Sequence, residues 1–236
     1  MGELPAPAPD NPETALRGKI SGDDFSCVAG KTAMTRGTLV HRHYGELAAP
    51  TVTAALHEDL VAFAERKDEI DRLFASFAAT FAGPPNLDEQ RFERLLWSQL
   101  QQLHDRDVSR YRYSELVSPD PRSPRFGFSV GGHPFFVVGL HPAASRRSRQ
   151  FPDPTLVFNS HVQFERLRER GLYVRIQREV RRRELALQGS INPTLSDFGE
   201  SSEARQYSGR AVEEDWRCPF EPSVAGPTAQ VEELAP

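Results

Sequence analysis

Apolar side chains recur at steps of three and four over residues 54–81, the spacing that keeps them on one face of an α-helix. This spacing predicts one long amphipathic helix, ended by Gly83-Pro84-Pro85. Asn86 and Glu89 have the spacing of a capping box, so a second helix should begin there. Because the joint is short and contains prolines, we expect the two helices to pack as an antiparallel hairpin.

The pattern changes after the loop that opens at Ser118. Residues 126–130 and 134–140 are short runs rich in Phe and Val around Gly131-Gly132, which predicts a β-hairpin with a glycine turn. Thr155–Phe158 should form another strand. Two helices should follow: the first starts at His161, after the capping-box-like pair Ser160 and Gln163, and ends at Gly171, and the second covers Leu172 to about Leu187 and ends at Gly189.

These elements predict an α+β fold, in which one domain has a small central sheet packed against helices. A chain of 236 residues suits one sizeable domain. Residues 1–20 are rich in proline and lack apolar periodicity, so we predict a disordered N-terminal segment. The folded domain should cover residues 21–220, and residues 221–236 should form a flexible tail.

Charge and composition narrow the location and partners. The formal net charge is −4, which gives no general attraction to nucleic acid or to anionic membranes. The chain has no apolar run near 18 residues and its start lacks a signal-peptide pattern, so we expect a cytoplasmic protein without membrane or nucleic-acid partners. Residues 165–184 hold eight arginines and four glutamates, which we interpret as a solvated helix face with ion pairs rather than an RNA-binding surface. The oligomeric state stays open.

Candidate chemistry concentrates at two strand ends, where His141 and His161 each follow an apolar run. A strand end holds a side chain rigidly and leaves it open to a ligand. Each imidazole could ligate a metal or haem, act in acid–base chemistry, or be a structural core group. A non-haem iron triad would need a carboxylate such as Glu165 or Asp197, but the usual HxD spacing is missing. We interpret His41-Arg42-His43 as surface residues.

Several short sequence blocks follow one another in a fixed order over roughly residues 20–220. They are Phe25-Ser26-Cys27, Gly139-Leu140-His141-Pro142, Asn159-Ser160-His161, and the segments 188–193, 197–200, 202–210 and 216–220. In order and spacing these blocks resemble the YqcI/YcgG family. That family includes haem-dependent N-hydroxylases of guanidino compounds, of the kind found in the guanitoxin and cycloserine biosynthetic pathways.

The resemblance implies haem b as cofactor and O2 or peroxide as oxidant. It fits an axial imidazole from His161 or His141, with thiolates of Cys218 or Cys27 as alternatives. We favour His161, because the Ser160 and Gln163 pair would fix its backbone at a helix start. The haem propionates would meet a cluster of arginines, namely Arg146, Arg147 and Arg149.

The substrate implied is a small guanidine or amine, paired with the carboxylates of Glu200 and Glu203. An external electron donor is a further candidate partner. The expected function is therefore that of a haem-dependent monooxygenase that hydroxylates nitrogen. The alternatives are a non-haem iron oxygenase that uses the same histidines, a haem-binding sensor or carrier without turnover, and an arginine-rich interaction module.

Overall fold

Helices cover both faces of a five-stranded mixed sheet in the computed structural model, which describes residues 11–223. The strand order is β1-β2-β5-β4-β3, so the predicted α+β class is confirmed. The strands are β1 (Leu39–Glu46), β2 (Ser76–Gly83), β3 (Phe128–Val130), β4 (His133–Leu140) and β5 (Thr155–Ser160). The helices are α1 (Pro12–Ser21), α2 (Val28–Arg36), α3 (Pro50–Ile70), α4 (Glu89–Asp107), α5 (His161–Glu169), α6 (Tyr173–Gln188) and the short α7 (Ala204–Tyr207).

The predicted hairpin is present as β3 and β4, which pair antiparallel. Gly131 and Gly132 form its turn with φ of +60° and +68°, a left-handed conformation that glycine adopts without a steric penalty. Strand β5 pairs antiparallel with both β4 and β2, and only β1 and β2 run parallel, because α3 connects them as a crossover.

The long helix predicted over residues 54–81 is wrong in its second half. Helix α3 ends at Ile70, and the carboxylate of Asp71 accepts the backbone N–H groups of Leu73 and Phe74 at 2.7 and 3.0 Å. The chain then enters β2, an inner strand that is buried on both faces. A buried strand is apolar at nearly every position, so the helical spacing also matches it by chance.

The helix predicted from Asn86 begins two residues later, with Asp88 as its N-cap. The Asp88 carboxylate accepts the backbone N–H of Arg91 at 2.6 Å, whereas Asn86 has a φ of +55°. Helices α3 and α4 do pack together on one sheet face, but β2 lies between them in sequence. The prediction that a short joint links the two helices as an antiparallel hairpin is therefore wrong.

Helix α5 begins at His161, as predicted, but no capping box forms there. Ser160 makes no side-chain cap, and its hydroxyl instead pairs with Nε2 of His133 at 2.8 Å. Helix α6 ends as predicted at Gly189, whose φ is +74°. Ion pairs also occur along the arginine-rich segment, such as that of Arg182 with Glu179.

The described parts of the two ends, residues 11–20 and 221–223, are ordered. Helix α1 occupies much of the segment predicted to be disordered, because Asn11 caps it and Leu16 and Ile20 are buried against the fold. In the predicted flexible tail, Ser223 donates its backbone N–H to Nε2 of His104 on α4 at 2.9 Å. The remainder of both predictions lies in residues 1–10 and 224–236, outside the described residues.

Within residues 11–223 no helix combines the length and the apolar character needed to cross a membrane. The cytoplasmic location stays a prediction.

Side chains along β4 alternate between two environments. Phe135 and Val137 pack in the main hydrophobic core with α3 and α4, whereas Val138 and Leu140 face the opposite side, toward α1. Gly139 lies on the α4 side, where a Cβ atom would be only 2.6 Å from the ring of Phe92. A side chain at this position would therefore overpack the contact between sheet and helix.

We predict that Gly139→Ala lowers the free energy of unfolding by about 1–3 kcal/mol, because the Phe92 ring has to move. Gly18→Ala is the matched control, since a Cβ atom there meets nothing within 4 Å in helix α1. The control should raise stability by about 0.5–1 kcal/mol through helix propensity. Urea denaturation of both variants measures the difference, and equal effects would contradict the close approach.

Candidate functional site

A two-lobed cavity lies on the sheet face opposite α3 and α4, between the sheet and the helices α1, α2, α5 and α6. The lobes have volumes of about 220 and 240 Å³. Together they fall within the range of about 300–1,000 Å³ usual for small-molecule and cofactor sites. Both lobes are lined by Cys27, Phe136, Val138, Asn159, Val180 and Leu195.

One lobe, here called the histidine lobe, contains His161, Glu203 and Phe198 in its wall. Nε2 of His161 donates to Oε1 of Glu203 at 3.0 Å, and the hydroxyl of Tyr207 donates to the same oxygen at 2.5 Å. All three polar side chains are buried, and the Phe198 ring packs 4.9 Å from the imidazole. The carboxylate fixes the ring and its tautomer, which leaves the lone pair on Nδ1 and makes this nitrogen the stronger donor.

Burial also shifts the acid–base properties of this group. Desolvation raises the pKa of the Glu203 carboxyl, although the hydrogen bonds from His161 and Tyr207 oppose the shift. The pKa of Tyr207 lies well above its ordinary value, because the phenol is desolvated and faces the Glu203 carboxylate. The phenol therefore stays protonated and remains a hydrogen-bond donor to Glu203.

The other lobe, here called the arginine lobe, contains Arg146, Arg149 and Glu184. Arg149 donates to the backbone carbonyls of Gly139, Tyr207 and Gln206 at 3.0–3.3 Å, so its hydrogen bonds are already used within the fold. Desolvation lowers the pKa of Arg149 to about 10, and the guanidinium remains charged at neutral pH.

Arg146 is different, because its side chain is under-bonded. Only 8% of the residue is exposed, and Nη1 donates to the hydroxyl of Ser190 at 2.9 Å. Nε and Nη2 are buried without a partner among the described residues. Buried donors of a cation are costly when unsatisfied, so this lobe fits a ligand that brings an anionic group. Within residues 11–223 Glu184 forms no ion pair with Arg146, and its carboxylate accepts from the hydroxyl of Ser26.

His141 lies far from His161. Leu140 is paired with Thr155 and Phe135 with Ser160, so the two histidines flank opposite ends of the β4–β5 ladder. About six residues at 3.3 Å each separate them, roughly 20 Å. The structure therefore does not bring the two candidate imidazoles into one site, and a non-haem iron triad that uses both does not fit this geometry.

The His141 ring instead stacks on Phe92 of α4 at 4.4 Å between ring centroids. Burial lowers its pKa to about 4, so the imidazole is neutral at physiological pH. Within residues 11–223 no three His, Cys, Asp or Glu side chains are grouped closely enough to hold a metal ion.

The two predicted carboxylates have separate positions. Glu200 is exposed, accepts the backbone N–H of Asp197 at 3.1 Å and lines a surface groove rather than the cavity. Glu203 is in the cavity wall but is engaged by His161 and Tyr207. Glu200 therefore lies outside the cavity, and in Glu203 the oxygen Oε1 is taken by His161 and Tyr207.

The thiols also differ in position. Cys27 lines both lobes, and Cys218 lines the surface groove. Burial raises the pKa of the Cys27 thiol, and it raises that of Cys218 to about 12. Both groups are therefore thiols at neutral pH, which disfavours them as thiolate ligands in this state.

The sequence profile of the YqcI/YcgG family matches residues 16–221, which is most of the chain. The chain belongs to the YqcI/YcgG family. No curated protein and no solved structure is detectably similar to it. In this YqcI/YcgG chain the match begins within α1 and ends at residue 221. It therefore includes every residue that lines either lobe.

Sequence reasoning missed two groups of this YqcI/YcgG site. Tyr207 lies four residues after Glu203, a spacing that places both on one side of a helical turn and could have revealed the pair. Glu184 gave no usable signal, because it is one of four glutamates in a segment dominated by arginine. Only the packing of α6 against Ser26 distinguishes it.

We predict that Tyr207→Phe lowers the free energy of unfolding by about 1–3 kcal/mol, with a larger loss at pH 8 than at pH 5. The lost hydroxyl stabilises the charged carboxylate of Glu203, whose raised pKa keeps a larger fraction protonated at low pH. Urea denaturation at both pH values measures the effect. Tyr113→Phe is the control, because that partly buried hydroxyl donates to the neutral carbonyl of Gly127 and its loss should be insensitive to pH.

Proposed function

We propose that this protein binds haem b in the two-lobed cavity and uses O2 or peroxide to hydroxylate a nitrogen of a small guanidine or amine. One observation carries the proposal: an apolar cavity has an imidazole held by a buried carboxylate in one lobe and an under-bonded buried guanidinium in the other. A haem presents complementary features, namely an iron that takes an imidazole, an apolar face and two carboxylates.

The residues present fit such a group. Of the four candidate ligands, His161 is the one that would hold the iron. It lines the cavity, and its Nδ1 has no hydrogen-bond partner among the described residues. The two cysteines are protonated thiols, and His141 stacks on Phe92 outside the cavity. Phe136 and Val138 provide apolar surface shared by both lobes. Arg146 would bind a propionate, whereas Arg149 contributes its charge but has its donors on backbone carbonyls.

When bound, the haem supplies the iron at which the oxidant is activated. With O2, monooxygenation consumes two electrons and two protons, places one oxygen atom on the substrate nitrogen and releases the other as water. Glu203 attracts the proton on Nε2 of His161 and so increases the donor strength of Nδ1. Tyr207 holds the Glu203 carboxylate in place, and Phe198 shields the imidazole from water.

The substrate class rests on the family resemblance, because Glu200 lies outside the cavity and Glu203 is already bonded to His161 and Tyr207. Asp197 is the better candidate partner for a cationic substrate. It lines the histidine lobe and its side chain is about 40% exposed; its Oδ1 accepts from the side-chain amide of Gln177 and lies a loose 3.6 Å from Nη2 of Arg181. A substrate cation could replace this weak contact.

We predict that the purified protein shows a Soret band near about 400 nm and that His161→Ala loses it, because the axial imidazole is removed. His141→Ala is the control, since this ring stacks on Phe92 outside the cavity, and it should retain haem. Haem content and the ferrous–CO spectrum of both variants, with Cys27→Ser and Cys218→Ser, decide the ligand. A CO band near about 450 nm, or loss of haem in a cysteine variant alone, would reject the histidine.

Adding candidate substrates to the ferric, haem-loaded protein distinguishes an enzyme from a sensor or carrier. Free arginine, other guanidines and amines should shift the Soret band and be converted to N-hydroxylated products. If none of these compounds shifts the band while gases bind reversibly, the carrier function replaces the enzyme function.

We predict that Arg146→Gln weakens haem binding tenfold or more, because a charge-assisted hydrogen bond contributes about 1.5–3 kcal/mol. Arg147→Gln is the adjacent control, since this side chain is exposed and its neighbours contact its backbone. Haem titration of the apoprotein followed at the Soret band measures both constants. Equal affinities in the two variants would show that the arginine lobe does not hold a propionate.

A further inference from the structure

The outer side of α6 carries a surface without an obvious role in the fold. Ile176, Gln177 and Val180 of α6 line the histidine lobe. On the opposite side of the helix, Val174 and the residues one, four, eight and eleven positions after it form one exposed stripe. We call this stripe the α6 outer face, and it consists of Val174, Arg175, Arg178, Arg182 and Leu185.

Two exposed apolar side chains, Val174 and Leu185, lie on this face, and Ile191 and Leu195 are exposed in the loop after α6, where Leu195 also lines the cavity. Five large hydrophobic residues are exposed within residues 11–223, and four of them lie on α6 or in the loop that follows it. They are Val174, Leu185, Ile191 and Leu195, with exposed fractions of 58, 52, 40 and 36%. Single exposed hydrophobic residues are ordinary, but a group around charged residues is typical of an interaction surface.

The charge of the α6 outer face is positive although the whole chain carries −4. Arg182 is paired with Glu179, whereas Arg175 and Arg178 have no carboxylate partner among the described residues. By contrast, Arg166 is paired with Asp68. Unpaired arginines next to apolar side chains are the composition found in the centre of protein–protein interfaces.

We propose that the α6 outer face docks an acidic electron-carrier protein of the iron–sulfur or flavin class. This inference rests on the proposed oxygenase function, which needs two electrons per turnover from outside the chain when O2 is the oxidant. A carrier on this face would be separated from the cavity by one helix, about 10 Å thick, a short path for electron transfer. The positive charge would steer an acidic partner toward this face. Val174 and Leu185 would add apolar contact, which suits a protein partner better than a nucleic acid.

The test uses an acidic [2Fe–2S] ferredoxin as the probe and measures its binding to the full-length protein by surface plasmon resonance. The wild type should bind at low ionic strength and more weakly as salt is added. Arg175→Glu/Arg178→Glu should weaken binding at least tenfold. Arg91→Glu/Arg94→Glu is the matched control, since these exposed arginines on α4 have the same spacing and lie on the other side of the sheet, and it should bind as the wild type does.

The proposal is overturned if the wild type does not bind the probe at low salt, if the control loses as much affinity, or if double-stranded DNA or RNA binds this face in preference to ferredoxin. Haem content, measured on the same samples, should be unchanged in both double variants. A protein that lacks haem but still binds ferredoxin through this face would reject the proposed oxygenase and retain the docking surface. A protein that holds haem but does not bind ferredoxin would reject the docking surface and retain the proposed oxygenase.

Discussion

The antiparallel register of β4 with β5 is the constraint on which the site depends. It places Phe135 opposite Ser160, so β5 ends and α5 begins where His161 can enter the cavity wall. A slip of one residue would move every side chain of β4 to the other face and exchange core for cavity. The same register sends His141 to the far end of the ladder, against α4. The sheet therefore decides which of two similar histidines is available to a ligand.

Two neighbouring arginines show how tertiary contacts separate structural from functional charge. Arg149 ties the end of β4 to residues 206 and 207 through backbone carbonyls, and this link holds α7 beside the sheet. Because α7 follows Glu203 directly, the same link supports the position of the carboxylate on His161. Arg146 is buried as well, but its Nε and Nη2 have no hydrogen-bond partner in the part of the chain that the structure describes. A buried cation of that kind is costly in an empty site, which is why we associate it with a ligand.

Helix α6 joins the two parts of the proposed function. Its inner side supplies Val180 to both lobes and Glu184 to the arginine lobe, and its outer side carries Arg175 and Arg178, which have no carboxylate partner within residues 11–223. One amphipathic helix thus has a cavity on one side and a basic surface on the other. The sequence showed the arginine excess over residues 165–184 but not which arginines had partners, because Arg166 finds Asp68 from a distant part of the chain.

By itself, the sequence determined the α+β class, the glycine-turn hairpin, the strand before His161 and the end of α6 at Gly189, since local spacing and glycine chemistry control these features. It also indicated the family, which the profile confirms. The sequence did not reveal β2, because a strand buried on both faces has no polar alternation to set it apart from a helix. Only the tertiary structure separated His141 from His161, joined Glu203 to His161 and left Glu200 exposed. Those outcomes depend on strand register and on contacts between residues distant in sequence, which local patterns do not encode.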